Sequence, residues 1–277
     1  GEGLARRSTR PTAHARPARR PPTARPDSSR ERLYAALRRT YPFVTVERIR
    51  RAGAPTDAAT LRLTTRCNQR CPFCQAASPH AEADTPLSEL LRAASRIASD
   101  LPDATLILTG GEPFLRADMP ELLARLLALP GLARIEVQTN AVPLGRKTRP
   151  PAFPVSDRLR FLIGMHALRP EVYDACTSTR GQFPRALAGV RRLLDAGATV
   201  EINCVVSRLN LAHIPRMPAL LAKRLGPKPP PLHFSIMGIP EQREVGGLLV
   251  RFRQMLAAID EAKRRAAGLG VVVVAAL

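Results

Sequence analysis

The chain contains no tryptophan, only 4% aromatic residues and five cysteines in 277 residues. With so few rings, a core must be built from Leu, Val, Ile and Ala, and the 45% hydrophobic content is enough for a sizeable one. Five unevenly spaced cysteines exclude the disulfide framework of a secreted domain and point to reduced thiols in a reducing compartment. No uninterrupted apolar run approaches the roughly 18 residues that span a bilayer. The expectation is a soluble, cytoplasmic protein with no membrane partner. Acidic residues are also scarce: 23 against 43 lysines and arginines, for a net charge of +20.

Much of that excess is compositional. The basic residues are almost all arginine, and residues 1–30 hold eight of them against two acids, interrupted by proline. This segment has no hydrophobic periodicity and is expected to be a disordered Arg/Pro-rich arm. It reads as a solvated tail, or as an electrostatic tether to RNA. Its acid-poor composition resembles a transit peptide but lacks the amphipathic pattern. The chain does not begin with methionine, which fits a fragment or a processed form.

Residues 31–58 read as a short helix around "RERLYAALRRTY" followed by a connector. From residue 59 to 277, strand-like and helix-like segments alternate. Candidate strands are "TLRLTT", "ATLILTGGEPF", "ARIEVQTNA", "RLRFLIGMHA", "TVEINCVVS" and "PLHFSIMG". Helical periodicity marks "TPLSELLRAASRIAS", with Thr85 as cap and Pro86 in its first turn. It also marks "ADMPELLARLLALPG", with Asp118 and Glu121 in capping-box register, and "FPRALAGVRRLLDAG", closed by Gly197. Six β-then-α units predict an α/β fold: a parallel sheet forming a partial, open (βα)6 TIM-like barrel. The chain ends on the apolar "VVVVAAL", which leaves room for a further domain downstream.

What is concentrated is more informative than what is missing. Three of the five cysteines fall in "TTRCNQRCPFCQ", at C-x3-C-x2-C spacing, just after the first barrel strand. "GGEP", "TNA" and "MHA" follow later strands, so all four segments should converge on the C-terminal face where such sheets bind ligands. Three close thiolates can hold three irons of a [4Fe–4S] cubane and leave the fourth open to a ligand. The bland alternative is a zinc site that borrows a histidine such as His80. Cys204 reads as a small buried residue and Cys176 as a thiol in a loop. His213 and His233 read as structural.

The cysteine spacing, together with "LTGGEPFLRADMPEL", "TNA", "IGMHALRPEVYDACTSTRGQFPRALAGVRRLLDAG" and "VEINCVVSRLN" in that order, resembles the radical S-adenosylmethionine (radical SAM) superfamily. The resemblance covers about residues 60–240. It implies that Cys67, Cys71 and Cys74 bind a [4Fe–4S] cluster and that S-adenosylmethionine docks on the open iron. It places Phe73 against the adenine and Gly110, Gly111, Glu112 and Pro113 at the methionine amino group. Thr139, Asn140, His166 and Asn203 line the same face. Gly164 stands where many relatives carry a serine toward the ribose, and Ala141 where they carry glycine. Thr177 replaces an arginine found in some peptide-modifying relatives, with Arg180 as the nearest basic alternative. The implied reaction is reductive cleavage to a 5′-deoxyadenosyl radical that abstracts hydrogen, fed by a reductant such as flavodoxin or ferredoxin. The absence of a second cysteine cluster argues against a peptide-maturase C-terminal domain within this stretch. The substrate stays open between a peptide or small metabolite and RNA, with a non-catalytic iron–sulfur or zinc protein as the third alternative.

Overall fold

The computed structural model describes residues 28–49, 55–75, 84–238 and 245–276. Helix α1 (Ser28–Thr40) leads into β1 (Val44–Ile49), which pairs antiparallel with β2 (Thr56–Arg62). Two expectations change here. Ser28–Arg30, assigned to the arm, form the first turn of α1, where Arg30 reaches Asp57 at 2.6 and 2.8 Å and the Tyr34 hydroxyl donates to the same carboxylate. The connector holds a strand, β1, whose charged Glu47 and Arg48 hide its short alternation. The rest of the arm lies outside the described residues.

Beyond β2 come α2 (Leu87–Asp100), β3 (Ala104–Thr109), α3 (Met119–Ala128), β4 (Leu132–Thr139) and β5 (Leu159–Gly164). They are followed by α4 (Pro170–Thr177), α5 (Phe183–Asp195), β6 (Thr199–Val206), α6 (Met217–Leu225), β7 (Leu232–Ile236), α7 (Phe252–Ala266) and β8 (Val273–Ala276). The strands form one sheet in chain order, parallel from β2 to β8, with β1 and β8 at its two edges. The six expected barrel strands are β2 to β7, and the sheet is open. One unit departs from the expected alternation: the β4–β5 crossover carries only a 3-10 turn at Pro143–Gly145. Prolines at 143, 150, 151 and 154 leave no room there for an α-helix.

Alternation along the strands sorts the side chains. One face sends Leu61, Leu106, Leu108, Val137, Phe161, Ile163, Ile202 and Phe234 into a continuous core with Leu90 and Ile97 of α2, Leu122 of α3 and Val190 of α5. Each such fully buried side chain contributes about 1.5–3 kcal/mol relative to an exposed one. The opposite face is polar. There Glu136 ion-pairs with Arg160, Arg160 Nη1 lies 3.4 Å from Glu201, and Gln138 Nε2 donates to Glu136 at 3.0 Å. His233 Nε2 sits 3.2 Å from Glu201, an ion-pair distance without the alignment of a hydrogen bond.

Two helix starts differ from their expected caps. Thr85 gives its hydroxyl to the Arg62 carbonyl (3.1 Å) instead of α2, and Asp118 gives its carboxylate to Arg116 instead of α3. A nearby guanidinium binds a carboxylate more strongly than a backbone N–H does. Gly197 does close α5, at φ +77°.

Candidate active site

The cysteine loop leaves β2 at Leu63 and returns at Thr85, and both ends of this neck are fastened. Thr85 N donates to Leu63 O (3.0 Å), and Thr64 bridges to Asp84, whose carboxylate also takes the Thr64 hydroxyl (2.6 Å). Arg66 grips the same carboxylate at 3.1 and 2.5 Å. Arg116, only 3% exposed, donates to the carbonyls of Leu63 and Thr85, both at 2.7 Å, and is held by Asp118. Arg116 and Asp84 were not singled out from the sequence. Arg116 lies inside the quoted "FLRADMPEL", but nothing local to it tells which carbonyls it meets.

The glycine pair closes on this neck. Gly111 N donates to Thr64 O and Glu112 N to Arg66 O, both at 2.8 Å. A Cβ on Gly111 would stand 2.0 Å from Arg66 O, and one on Gly110, at φ +147°, 2.3 Å from Thr64 O. Only glycine lets the two backbones meet so closely. Glu112 is fully buried and turned inward, accepting from Phe114 N (3.0 Å), Thr139 Oγ1 (2.6 Å) and Asn140 N (2.7 Å). Burial lifts its carboxyl to about 7 against the pull of those donors. This side chain therefore ties the end of β3 to the end of β4. Pro113 is buried behind it, at the start of a 3-10 turn.

Ala141 follows Asn140 at φ +59°, so the turn does need the positive φ that glycine adopts without strain. The turn is sealed by α5, where a Cβ on Gly189 would lie 2.0 Å from Ala141 O. Asn140 Nδ2 donates to Asn68 (3.0 Å) and lies 4.0 Å from Cys67 Sγ, while Gln182 Nε2 donates to Asn68 O (2.9 Å). The loop is thus bound to β4 and α5 as well as to β3.

The three cysteine side chains are half-buried on this loop, and burial pushes Cys67 up to about 11 and Cys71 higher still. Among the described residues no three His, Cys, Asp or Glu side chains converge closely enough to hold one metal ion. His80, the candidate fourth zinc ligand, lies outside the described residues. The donor set suits a larger inorganic group that takes one thiolate at each of several irons. The Gln69 backbone N–H points at Cys67 Sγ (3.4 Å), a donor that stabilises a thiolate.

Phe73 and His166 meet edge to face at 4.8 Å beside the loop. His166 is 8% exposed; burial lowers it to about 4, and its Nδ1 accepts from Val205 N at 3.2 Å. The ring is therefore neutral, with its proton on Nε2. That nitrogen would lie 3.7 Å from a Cβ on Gly164, next to the position of the missing serine. Asn203 lies across the sheet from Gly164 and His233 and accepts from Ser235 Oγ (3.0 Å). Of three remaining residues, the first departs from expectation. Cys176 sits in α4 and not in a loop, fully buried. Thr177 is buried, bonding to Tyr173 O (2.8 Å). Arg180 is exposed and lines a surface depression with Asp174, Ser178 and Thr179.

A family model matches this chain: the radical SAM superfamily, over residues 61–218. The chain belongs to the radical SAM superfamily. Its cofactors are accordingly a [4Fe–4S] cluster and S-adenosylmethionine, and an enzyme of this superfamily needs a reductant and a substrate. The chain is similar to a GTP 3′,8-cyclase of Xanthomonas campestris pv. campestris (strain 8004), 33% identical over 165 residues, covering 57% of this chain and 48% of that one. It is also similar to molybdenum cofactor biosynthesis protein 1 of Drosophila melanogaster, 34% identical over 152 residues, covering 53% and 26%. In structure it resembles Streptococcus suis SuiB bound to S-adenosylmethionine, with TM-score 0.56, 13% identity and coverage of 89% of this chain and 54% of that one. That likeness supports the open barrel. The match to the Xanthomonas relative spans about half of that protein's length. Among the described residues no helix is long and apolar enough to cross a membrane.

Proposed function

We propose that this chain reductively cleaves S-adenosylmethionine and uses the resulting radical to abstract hydrogen from a peptide or small metabolite in the polar barrel interior. The observation that carries this reading is the backbone weld between the cysteine loop and the glycine pair, Gly111 N to Thr64 O and Glu112 N to Arg66 O. It holds the three thiols and a bare stretch of backbone in one fixed relation at a strand end.

In this reading Cys67, Cys71 and Cys74 hold the cluster, which when bound supplies the electron that splits the carbon–sulfur bond of the sulfonium. Gly110, Gly111 and Pro113 present backbone to the methionine end of the cofactor, and Glu112 keeps that backbone aligned with Thr139 and Asn140. His166 donates from Nε2 in place of the serine missing at Gly164. Phe73, with its edge set by His166, offers a flat apolar surface to the adenine. Asn203 and Ser235 lie deeper in the interior, on the substrate side. Residues 28–58 are read together with the barrel, since the boundary expected at residue 59 falls inside β2 and Tyr34, Leu37, Val44 and Val46 belong to the barrel's core.

The one-third identity to GTP 3′,8-cyclases supports a second reading, in which the small metabolite is a purine nucleotide. The RNA reading rests on an arm that lies almost wholly outside the described residues. Anaerobic reconstitution with iron, sulfide, S-adenosylmethionine and dithionite tests the common core. The wild type is expected to form 5′-deoxyadenosine, and Cys71→Ala to lose both the cluster and the product. A fully loaded wild type that never forms 5′-deoxyadenosine rules the proposal out. Adding GTP separates the readings: no GTP-derived product removes the nucleotide and leaves the cleavage step standing.

A further inference from the structure

Gln69 lies between two of the loop cysteines yet is only 5% exposed. A glutamine in a loop ordinarily faces water, and burying its amide without partners is costly. Here both ends are used. Nε2 donates to the Tyr173 hydroxyl at 2.6 Å, and Oε1 faces Cys71 Sγ at 3.7 Å. The same residue's backbone N–H points at Cys67 Sγ (3.4 Å). One side chain and its own amide thus address two of the three sulfurs.

Tyr173 is equally unusual. It is fully buried on α4, edge-on to Phe183 with centroids 5.4 Å apart, and burial keeps its phenol protonated. Its carbonyl takes the Thr177 hydroxyl, and the Thr177 carbonyl takes Arg70 N at 2.9 Å. Helix α4 therefore fixes both the partner of Gln69 and the residue after it.

The pair has two complementary hydrogen-bonding states. With Cys71 as a thiol, the sulfur donates to Oε1 and Nε2 donates to the phenol oxygen. A cysteine that ligates iron has no hydrogen to give. Half a turn of the amide then restores every bond: Nε2–H points at the sulfur, and the Tyr173 O–H donates to Oε1. Hydrogen bonds to ligand sulfurs draw electron density from a cluster and raise its reduction potential.

We propose that Gln69, oriented by Tyr173, is a positioning residue that donates a hydrogen bond to the Cys71 sulfur and raises the reduction potential of the cluster. This rests on the proposed role of the three cysteines. The test is an anaerobic potentiometric titration, followed by electron paramagnetic resonance, of the reconstituted wild type, Gln69→Met, Gln69→Glu and Tyr173→Phe. Gln69→Met is expected to shift the midpoint to a more negative potential at unchanged iron and sulfide content. Gln69→Glu, which keeps an acceptor and loses the N–H, should shift it at least as far; Tyr173→Phe should shift it in the same direction by less. A midpoint equal to wild type in Gln69→Met overturns the proposal. If Gln69→Met takes up no iron, Tyr173→Phe decides, since it leaves the loop sequence intact, and an unmoved midpoint there overturns it as well. A wild type that takes up no cluster defeats the underlying site assignment, a failure distinct from an unmoved midpoint.

Discussion

The two halves of the barrel fasten their strand ends with different groups. From β2 to β4 the ends are fastened to each other: glycine backbone against the loop neck, Glu112 onto Thr139 and Asn140, and Arg116 across Leu63 and Thr85. From β5 to β7 the ties are different: His166 Nδ1 takes Val205 N, the buried Asn210 amide reaches the His166 and Val205 carbonyls, and the interior positions Gly164, Asn203 and Ser235 stay partly exposed. In the proposed reading the first half holds the cofactor, and its backbone weld keeps that surface in one arrangement. In the same proposed reading the partly exposed positions of the second half face the substrate, which is where chains sharing this scaffold can diverge.

Removing the strongest clasp should break this contrast most visibly. Arg116→Met leaves the Leu63 carbonyl with Thr85 N alone, takes the guanidinium from the Thr85 carbonyl and frees Asp118, so a loss of about 4 kcal/mol is expected in urea denaturation of the cofactor-free protein. A loss below about 1 kcal/mol would show that the neck holds without it.

Glu112 gives the next largest effect, and it depends on pH. Its folded value of about 7 lies above the unfolded carboxylate value, so its contribution is fully present below about pH 4.5 and is lost as pH rises through 7. The span is on the order of 3 kcal/mol. Glu112→Gln should flatten that slope between pH 5 and 8, and an unchanged slope would place the titration elsewhere.

Two glycines then sharpen the comparison directly. Gly111→Ala drives a methyl to within 2.0 Å of a backbone oxygen and should cost about 2 kcal/mol, with loss of cluster loading. Gly164→Ala meets nothing nearer than 3.7 Å and should change stability by no more than about 0.5 kcal/mol. Equal effects in thermal melts would erase the distinction between the halves. The smallest effect is expected from Gly238→Ala at the end of β7, where the new methyl only displaces the flexible tip of Gln75. A shift there well under about 0.5 kcal/mol is the expected result.

The alternation of strands and helices was legible because each barrel unit carries its own periodicity, and the cysteine loop because its spacing is local. What escaped notice depends on distant pairs. Arg116 finds Leu63 and Thr85, and Gln69 finds Tyr173, a residue 104 positions away. No window of sequence contains both partners. Local rules also lost where a stronger partner intervened: Asp118 is in cap register, but the Arg116 guanidinium claims it first. The strain at Ala141 was readable only as a question, because a missing glycine matters only once the turn is known to need φ +59°.

The closed neck has a consequence for biogenesis. The contacts that fasten its base, through Arg116, Asp84 and the glycine weld, are all between protein groups, so closing this loop of about twenty residues does not require the cysteines. The expectation is that iron and sulfide enter a folded barrel instead of nucleating it. A zinc finger collapses when chelated; this barrel should outlast the removal of its cluster and accept a new one.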